Sequence, residues 1–138
     1  MPYEMKESPE TILLSVSASG REELFREAVT GVLAATYGTP LPEGASEGRI
    51  VPVQAAGDDD SSLLEGLLEE ALRAIREEEG TLRPPRWLAF DVNRVTVNLP
   101  LQTPKAVSRP LGVASAEVEF GDGEWRARLE LFSTGTAG

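Results

Sequence analysis

The chain has neither cysteine nor histidine in its 138 residues. Without cysteine there is no disulfide framework, no thiol nucleophile and no thiolate metal site. Without histidine there is no imidazole base, no Ser-His-Asp triad and no histidine-ligated zinc or haem. Catalysis would have to rest on carboxylates, lysine, serine, tyrosine or a hard cation held by oxygen, and a non-enzymatic role is expected. No apolar run reaches the ~18 residues of a membrane span. The opening Met1–Glu7 has no secretory pattern, so a cytoplasmic address is the default expectation. Aromatic residues are scarce, at 6%. Trp87, Phe90, Phe120 and Trp125 are better read as core and cross-strand packing than as a platform for stacking bases.

Positive charge is also in short supply. Thirteen basic residues face 23 acidic ones, for a net charge of −10, and only two of the thirteen are lysines. The imbalance is local: residues 1–40 carry −3, residues 41–80 carry −8, and residues 81–138 carry +1. Such a surface repels phosphate backbones, so direct nucleic-acid binding is not expected, and a protein partner is easier to accommodate.

The stretch from Asp58 to Gly80 is the best-defined part of the chain. Leu63, Leu64, Leu67, Leu68, Ala71, Leu72 and Ile75 recur at helical spacing and share one broad face. Glu65, Glu69, Glu70, Arg73 and Arg76 fall opposite. Ser61 or Asp60 can cap the first turn, Asp58 to Asp60 suit the positive end of the dipole, and Gly80 is a natural stop. Burying the stripe gives roughly 10–15 kcal/mol of gross hydrophobic gain at ~1.5–3 per large side chain.

Taken in order, residues 1–10 read as an irregular lead-in and Thr11–Ala18 as a strand with Ile12, Leu14, Val16 and Ala18 on one face. A first helix, capped by Ser19 or Gly20, runs through Thr36 on Leu24, Phe25, Ala28, Val29, Val32 and Leu33. Residues 38–48 form a loop, and Arg49–Ala56 a strand that Pro52 places at or near an edge. Beyond the second helix, Thr81 to Arg86 is a stiff connector. A hairpin follows, turning at Asn93-Arg94. Pro100, Pro104 and Pro110 make residues 100–111 a loop. Asp122-Gly123 predicts a type I′ turn that sets Phe120 opposite Trp125, Glu119 opposite Arg126 and Glu117 opposite Arg128. Residues 133–138 read as a frayed tail. The order β-α-β-α-β-β-β-β predicts a single α+β domain over 1–138, a two-layer sandwich with two helices on one face of a mixed, mostly antiparallel sheet.

This order and three strings resemble the archease family, small acidic proteins that activate the RNA ligase of tRNA splicing. The strings are Ala18-Ser19-Gly20-Arg21-Glu22-Glu23-Leu24-Phe25-Arg26-Glu27-Ala28, then Asp60-Ser61-Ser62-Leu63-Leu64-Glu65-Gly66-Leu67-Leu68-Glu69-Glu70-Ala71-Leu72, then Gly123-Glu124-Trp125-Arg126-Ala127-Arg128-Leu129. The second is similar to the family's D-x-x-x-L-L-x-x-W-L-x-E-L-L helix. With them the likeness spans residues ~10–132. It implies an archease-like fold and an accessory role toward an RNA ligase.

The departures bear on chemistry. Where the family carries His-Thr-Ala-Asp, this chain has Glu10-Thr11-Ile12-Leu13. Phe132 stands where the family's last strand ends in a metal-binding aspartate. The family's Lys-Ala-x-Thr-x-His motif is met by Lys105-Ala106-Val107-Ser108-Arg109-Pro110 with extra residues before the hairpin, or, without a gap, its lysine by Arg109. A hard cation needs several oxygen ligands and Leu13 and Phe132 supply none, so neither a metal nor another cofactor is expected.

Other groupings carry weaker expectations. Asp58, Asp59 and Asp60 are the remaining metal candidates, but consecutive carboxylates rarely aim at one point, and capping is the simpler reading. Glu77-Glu78-Glu79 at a helix C-terminus opposes the dipole and would suit a basic partner, or simply water. Lys105, Ser108 and Arg109, with Arg83, Arg86 and Arg94 nearby, are candidates for binding an anion or a partner. That grouping underlies the alternative reading, a small anion-binding or enzymatic domain. The further alternative is a structural subunit of a homo-oligomer, assembling through residues 49–56.

Overall fold

Extended backbone needs neighbours for its amides, and a striped helix needs a surface to lie on. The computed structural model, which describes residues 3–7, 11–37, 46–77, 81–82, 86–91, 93–103 and 111–133, shows where each is found. Among the described residues ten elements follow one another: β1 (Tyr3–Glu7), β2 (Thr11–Ala18), α1 (Arg21–Tyr37), β3 (Ser46–Ala56), α2 (Asp60–Glu77), β4 (Thr81–Leu82), β5 (Arg86–Phe90), β6 (Arg94–Thr103), β7 (Leu111–Gly121) and β8 (Glu124–Ser133). Two helices packed against antiparallel sheets make an α+β sandwich.

The strands divide into two sheets where the sequence pattern implied one. The first runs β1-β2-β8-β7; in the second β6 is central, with β3 on one side and the short β4 and β5 pairing with it as well. Every pairing among the described strands is antiparallel, so the expected parallel component is not found there. Helix α1 lies against β2, and α2 lies against β7 and β3.

The alternation in β2 sorts as its parity requires, with Ile12, Leu14 and Val16 buried and Leu13 and Ser15 exposed. All seven residues of the α2 stripe are buried, as are the six of α1. Gly31 lets α1 sit close on β2: a Cβ there would come within 2.7 Å of Leu14 Cδ2. At the far end of α1 the Leu82 amide donates to the Tyr37 hydroxyl at 3.1 Å, tying the helix to β4.

Four local expectations need correction. Residues 3–7 are a strand, not irregular lead-in. Three of the five are charged, which hides the pattern, but β1 gains its place through backbone pairing with β2. Thr81–Leu82 is a strand inside the supposed connector, and Leu82 is fully buried. The strand β6 continues through Pro100 to Thr103. Pro100 faces Ile50 of β3, and on β6's other side it falls between the pairings of β5, which end at Asn98, and those of β4, which begin at Leu101. A missing amide is tolerated in such an interval. The turn between β5 and β6 closes one residue early, the Asp91 amide donating to the Arg94 carbonyl at 2.8 Å. Among the described residues no helix is long and apolar enough to cross a membrane.

Candidate functional site

The first polar centre forms where α1 and α2 begin. Three consecutive aspartates at the head of α2 do three separate jobs. Asp59, not Ser61 or Asp60, is the N-cap: its carboxylate accepts the Ser62 amide at 2.8 Å, and the Asp59 amide reaches back to the Ser62 hydroxyl at 3.2 Å. This is the reciprocal arrangement of a capping box with serine in the third position. The Ser62 amide and then its hydroxyl hold the Asp59 carboxyl below the ordinary aspartate value of 3.8.

Asp60 turns instead to Arg21, its carboxylate 2.7 Å from the guanidinium. The same guanidinium donates to the Asp91 carbonyl at 3.1 Å and lies 4.6 Å over the Phe90 ring and 5.3 Å from that of Phe25. Asp58 is exposed and edges an open cleft of about 420 Å³ with Ala56, Gly57, Ser62, Asn93 and Arg94. Gly57 makes the floor by close approach: a Cβ there would lie 2.5 Å from the Leu63 nitrogen. The three carboxylates do not converge, and among the described residues no group of three or more acidic side chains is placed to hold a metal ion.

Leu13 and Phe132 lie on neighbouring strands. Leu13 faces Glu130 and Thr11 faces Phe132, so the two are diagonal neighbours on the outward face of the first sheet, 43% and 41% exposed. They bring carbon where the archease resemblance would place ligands, and the residues present do not fit a hard cation. A hollow of about 250 Å³ beside Leu13 is completed by Lys6, Ser15 and Arg128.

Phe132 also enters a wider hollow, a cleft of about 620 Å³ between α2 and the β7–β8 pair. Its floor is Leu72, Leu111 and Val113; its rim is Glu69, Glu70, Arg73 and Arg76 of α2. Arg73 is held by Glu70 at 3.0 Å and approaches Glu77 at 4.0 Å. The helical pattern places these four charged residues on the face opposite the leucine stripe. Nothing in either stretch tells that face from a cleft wall, because β7 arrives more than thirty residues later.

The anion candidates Lys105, Ser108 and Arg109 lie outside the described residues, as do Glu78, Glu79 and Arg83 and the side chains of Arg86 and Trp87. Arg94 is described and joins the cleft beside Asp58 instead. The β7–β8 register is the expected one: Phe120 faces Trp125, Glu119 faces Arg126, and Glu117 faces Arg128. Those opposed charges do not close into ion pairs, and Arg126 bonds Glu124 at 2.9 Å. Phe120 and Trp125 do meet, centroids 4.9 Å apart and ring planes tilted by 50°, while Phe120 stays 59% exposed. Strand β3 has β6 as its one partner among the described strands and so is an edge, as Pro52 implied.

No family model matches the chain, and no curated protein does. A solved structure does: the solution structure of Methanobacterium thermoautotrophicum protein 1598 aligns with 95% of this chain and 98% of its own, at 21% identity and a TM-score of 0.66. That structure is of the archease family, so the fold of this chain is archease-like.

Proposed function

We propose that this chain is a non-enzymatic accessory protein that works by contact with a protein partner, and that the partner is an RNA ligase. The observation that carries the reading is the archease-like fold along nearly the whole chain. The absence of histidine and cysteine agrees with it, since the commonest catalytic bases and nucleophiles are missing. The net charge of −10 agrees as well, favouring a protein surface over direct contact with RNA.

The contact is assigned to the cleft between α2 and β7, where an apolar floor is ringed by charges of both signs, the pattern of a polar-rimmed interface. An accessory role of this kind makes no use of the replaced ligand positions, because the partner supplies the chemistry.

The test is RNA joining by the ligase encoded in the same genome, with and without equimolar protein. A faster reaction is expected, together with co-elution of the two proteins. Phe132→Glu, which puts a charge at the cleft's outer wall, is expected to abolish both while leaving the melting temperature unchanged. An unaltered rate and separate elution at tenfold excess would refute the proposal.

A further inference from the structure

The hollow on the outward face of the first sheet carries an inference independent of the accessory reading. In the register, Lys6 faces Leu13 across β1 and β2, and Ser15 faces Arg128 across β2 and β8. The two cations therefore stand on the strands flanking β2. They are about 9.5 Å apart across the sheet and ~7 Å along it, a diagonal of roughly 12 Å. Two long side chains reaching inward from opposite corners cover that span.

Neither cation has an ion-pair partner among the described side chains. Arg21, Arg73 and Arg126 each close on a carboxylate. Of the acidic residues beside them in the register, Glu130 faces Leu13 and Glu117 faces Arg128, and neither closes an ion pair with Lys6 or Arg128; Glu4 faces Ser15. Two cations without a partner among the described side chains, and a hydroxyl, around one hollow form a donor set for an oxyanion, Arg128 offering the fork that suits phosphate oxygens. The surrounding charge limits its size. A chain at −10 repels a polyanion, so the ligand carries a single anionic group. At about 250 Å³ the hollow exceeds a bare phosphate, and half-exposed Leu13 offers the remaining space an apolar wall.

We propose that Lys6, Ser15 and Arg128 bind the phosphate of a small phosphomonoester whose organic part rests on Leu13. The test is a titration of the full-length, ¹⁵N-labelled protein with phenyl phosphate, inorganic phosphate, benzoate and sodium chloride at matched ionic strength. Phenyl phosphate is expected to move the amides of Lys6, Leu13, Ser15 and Arg128 and to bind more tightly than inorganic phosphate. Lys6→Gln and Arg128→Gln should each weaken it by about fivefold, the upper range for an exposed charge pair. Arg126→Gln should change nothing. Leu13→Asp, which sets a carboxylate between the cations, should abolish binding with the melting temperature retained. Arg128→Lys, which keeps the charge and loses the fork, replaces the glutamine variant should that one unfold, and should weaken binding as well. Shifts no larger than those from chloride, shifts centred on Asn93 and Arg94, or unchanged binding in the Arg128 variants would overturn the site. Benzoate binding as tightly as phenyl phosphate would overturn the ligand class.

Discussion

Arg21 holds three parts of the molecule at once, and its replacement separates the forces involved. The guanidinium meets the Asp60 carboxylate at 2.7 Å and the Asp91 carbonyl at 3.1 Å, and it lies 4.6 Å over the Phe90 ring. Both partners of the ion pair retain 20–30% side-chain exposure, so water screens the charge attraction to ~0.5–1 kcal/mol. The ring contact is better protected, and a guanidinium over an aromatic face gives about 1–2 kcal/mol. Phe25 meets Phe90 edge-on at 5.2 Å, which fixes the ring that receives the charge. Arg21→Ala should therefore cost about 2–3 kcal/mol, with the rings contributing more than the carboxylate. In a domain of this size that lowers the melting temperature by roughly 6–15 °C. A double-mutant cycle with Asp60→Asn, followed by urea denaturation, isolates the pair. Asp60→Asn alone should cost under ~1 kcal/mol, and Arg21→Ala in that background should still cost ~1.5–2. Adding 1 M salt should leave most of the Arg21 effect in place. If the two single variants cost the same and the double variant no more than either, the ion pair alone holds this junction and the reasoning fails.

Two further substitutions test close approach and burial. Gly57→Ala should cost about 1–3 kcal/mol in urea denaturation, because its Cβ would lie 2.5 Å from the Leu63 backbone nitrogen. Gly66→Ala, where the nearest neighbour is an Ala55 Cβ at 3.7 Å, should stabilise by ~0.5–1, and equal effects at the two glycines would refute the distinction. Tyr37→Phe should cost about 1–3 kcal/mol by leaving the buried Leu82 amide without its acceptor. Burial also raises the Tyr37 pKa above 10.0, so the folded state holds that proton longer than the unfolded chain. Below pH 10 the native protein suffers no penalty from this group; as pH rises from there toward the raised value it loses stability, and the phenylalanine variant should lack that component.

What could be read from the sequence was what depends on neighbours close in the chain. The α2 stripe and the β7–β8 register follow from helical spacing and from Asp122-Gly123, which adopt φ of 54° and 75° as a type I′ turn requires. The edge position of β3 followed from Pro52, a local chemical fact. What was missed depends on segments far apart. β1 is a strand because β2 pairs with it, β4 because β6 does, and Pro100 is tolerated because two other strands leave an interval beside it. The helix cap moved to Asp59 because Arg21, thirty-nine residues away, engages Asp60. The site followed the same rule. In the aspartate run Asp59 caps the helix, as short-range pattern can suggest, whereas the α2–β7 cleft and the Lys6–Arg128 hollow exist only once distant strands are brought side by side.

One small contact has a consequence for how copies of this protein meet. The Ser61 hydroxyl of α2 accepts the Val118 amide of β7 at 2.9 Å, and β7 is the last strand of its sheet. An amide on an outermost strand is otherwise free to bond the carbonyl of another molecule's strand. The serine that fastens helix to sheet thereby also removes one of the rungs on which a second chain could climb. Replacing it with alanine would loosen the molecule and make it more adhesive in the same step.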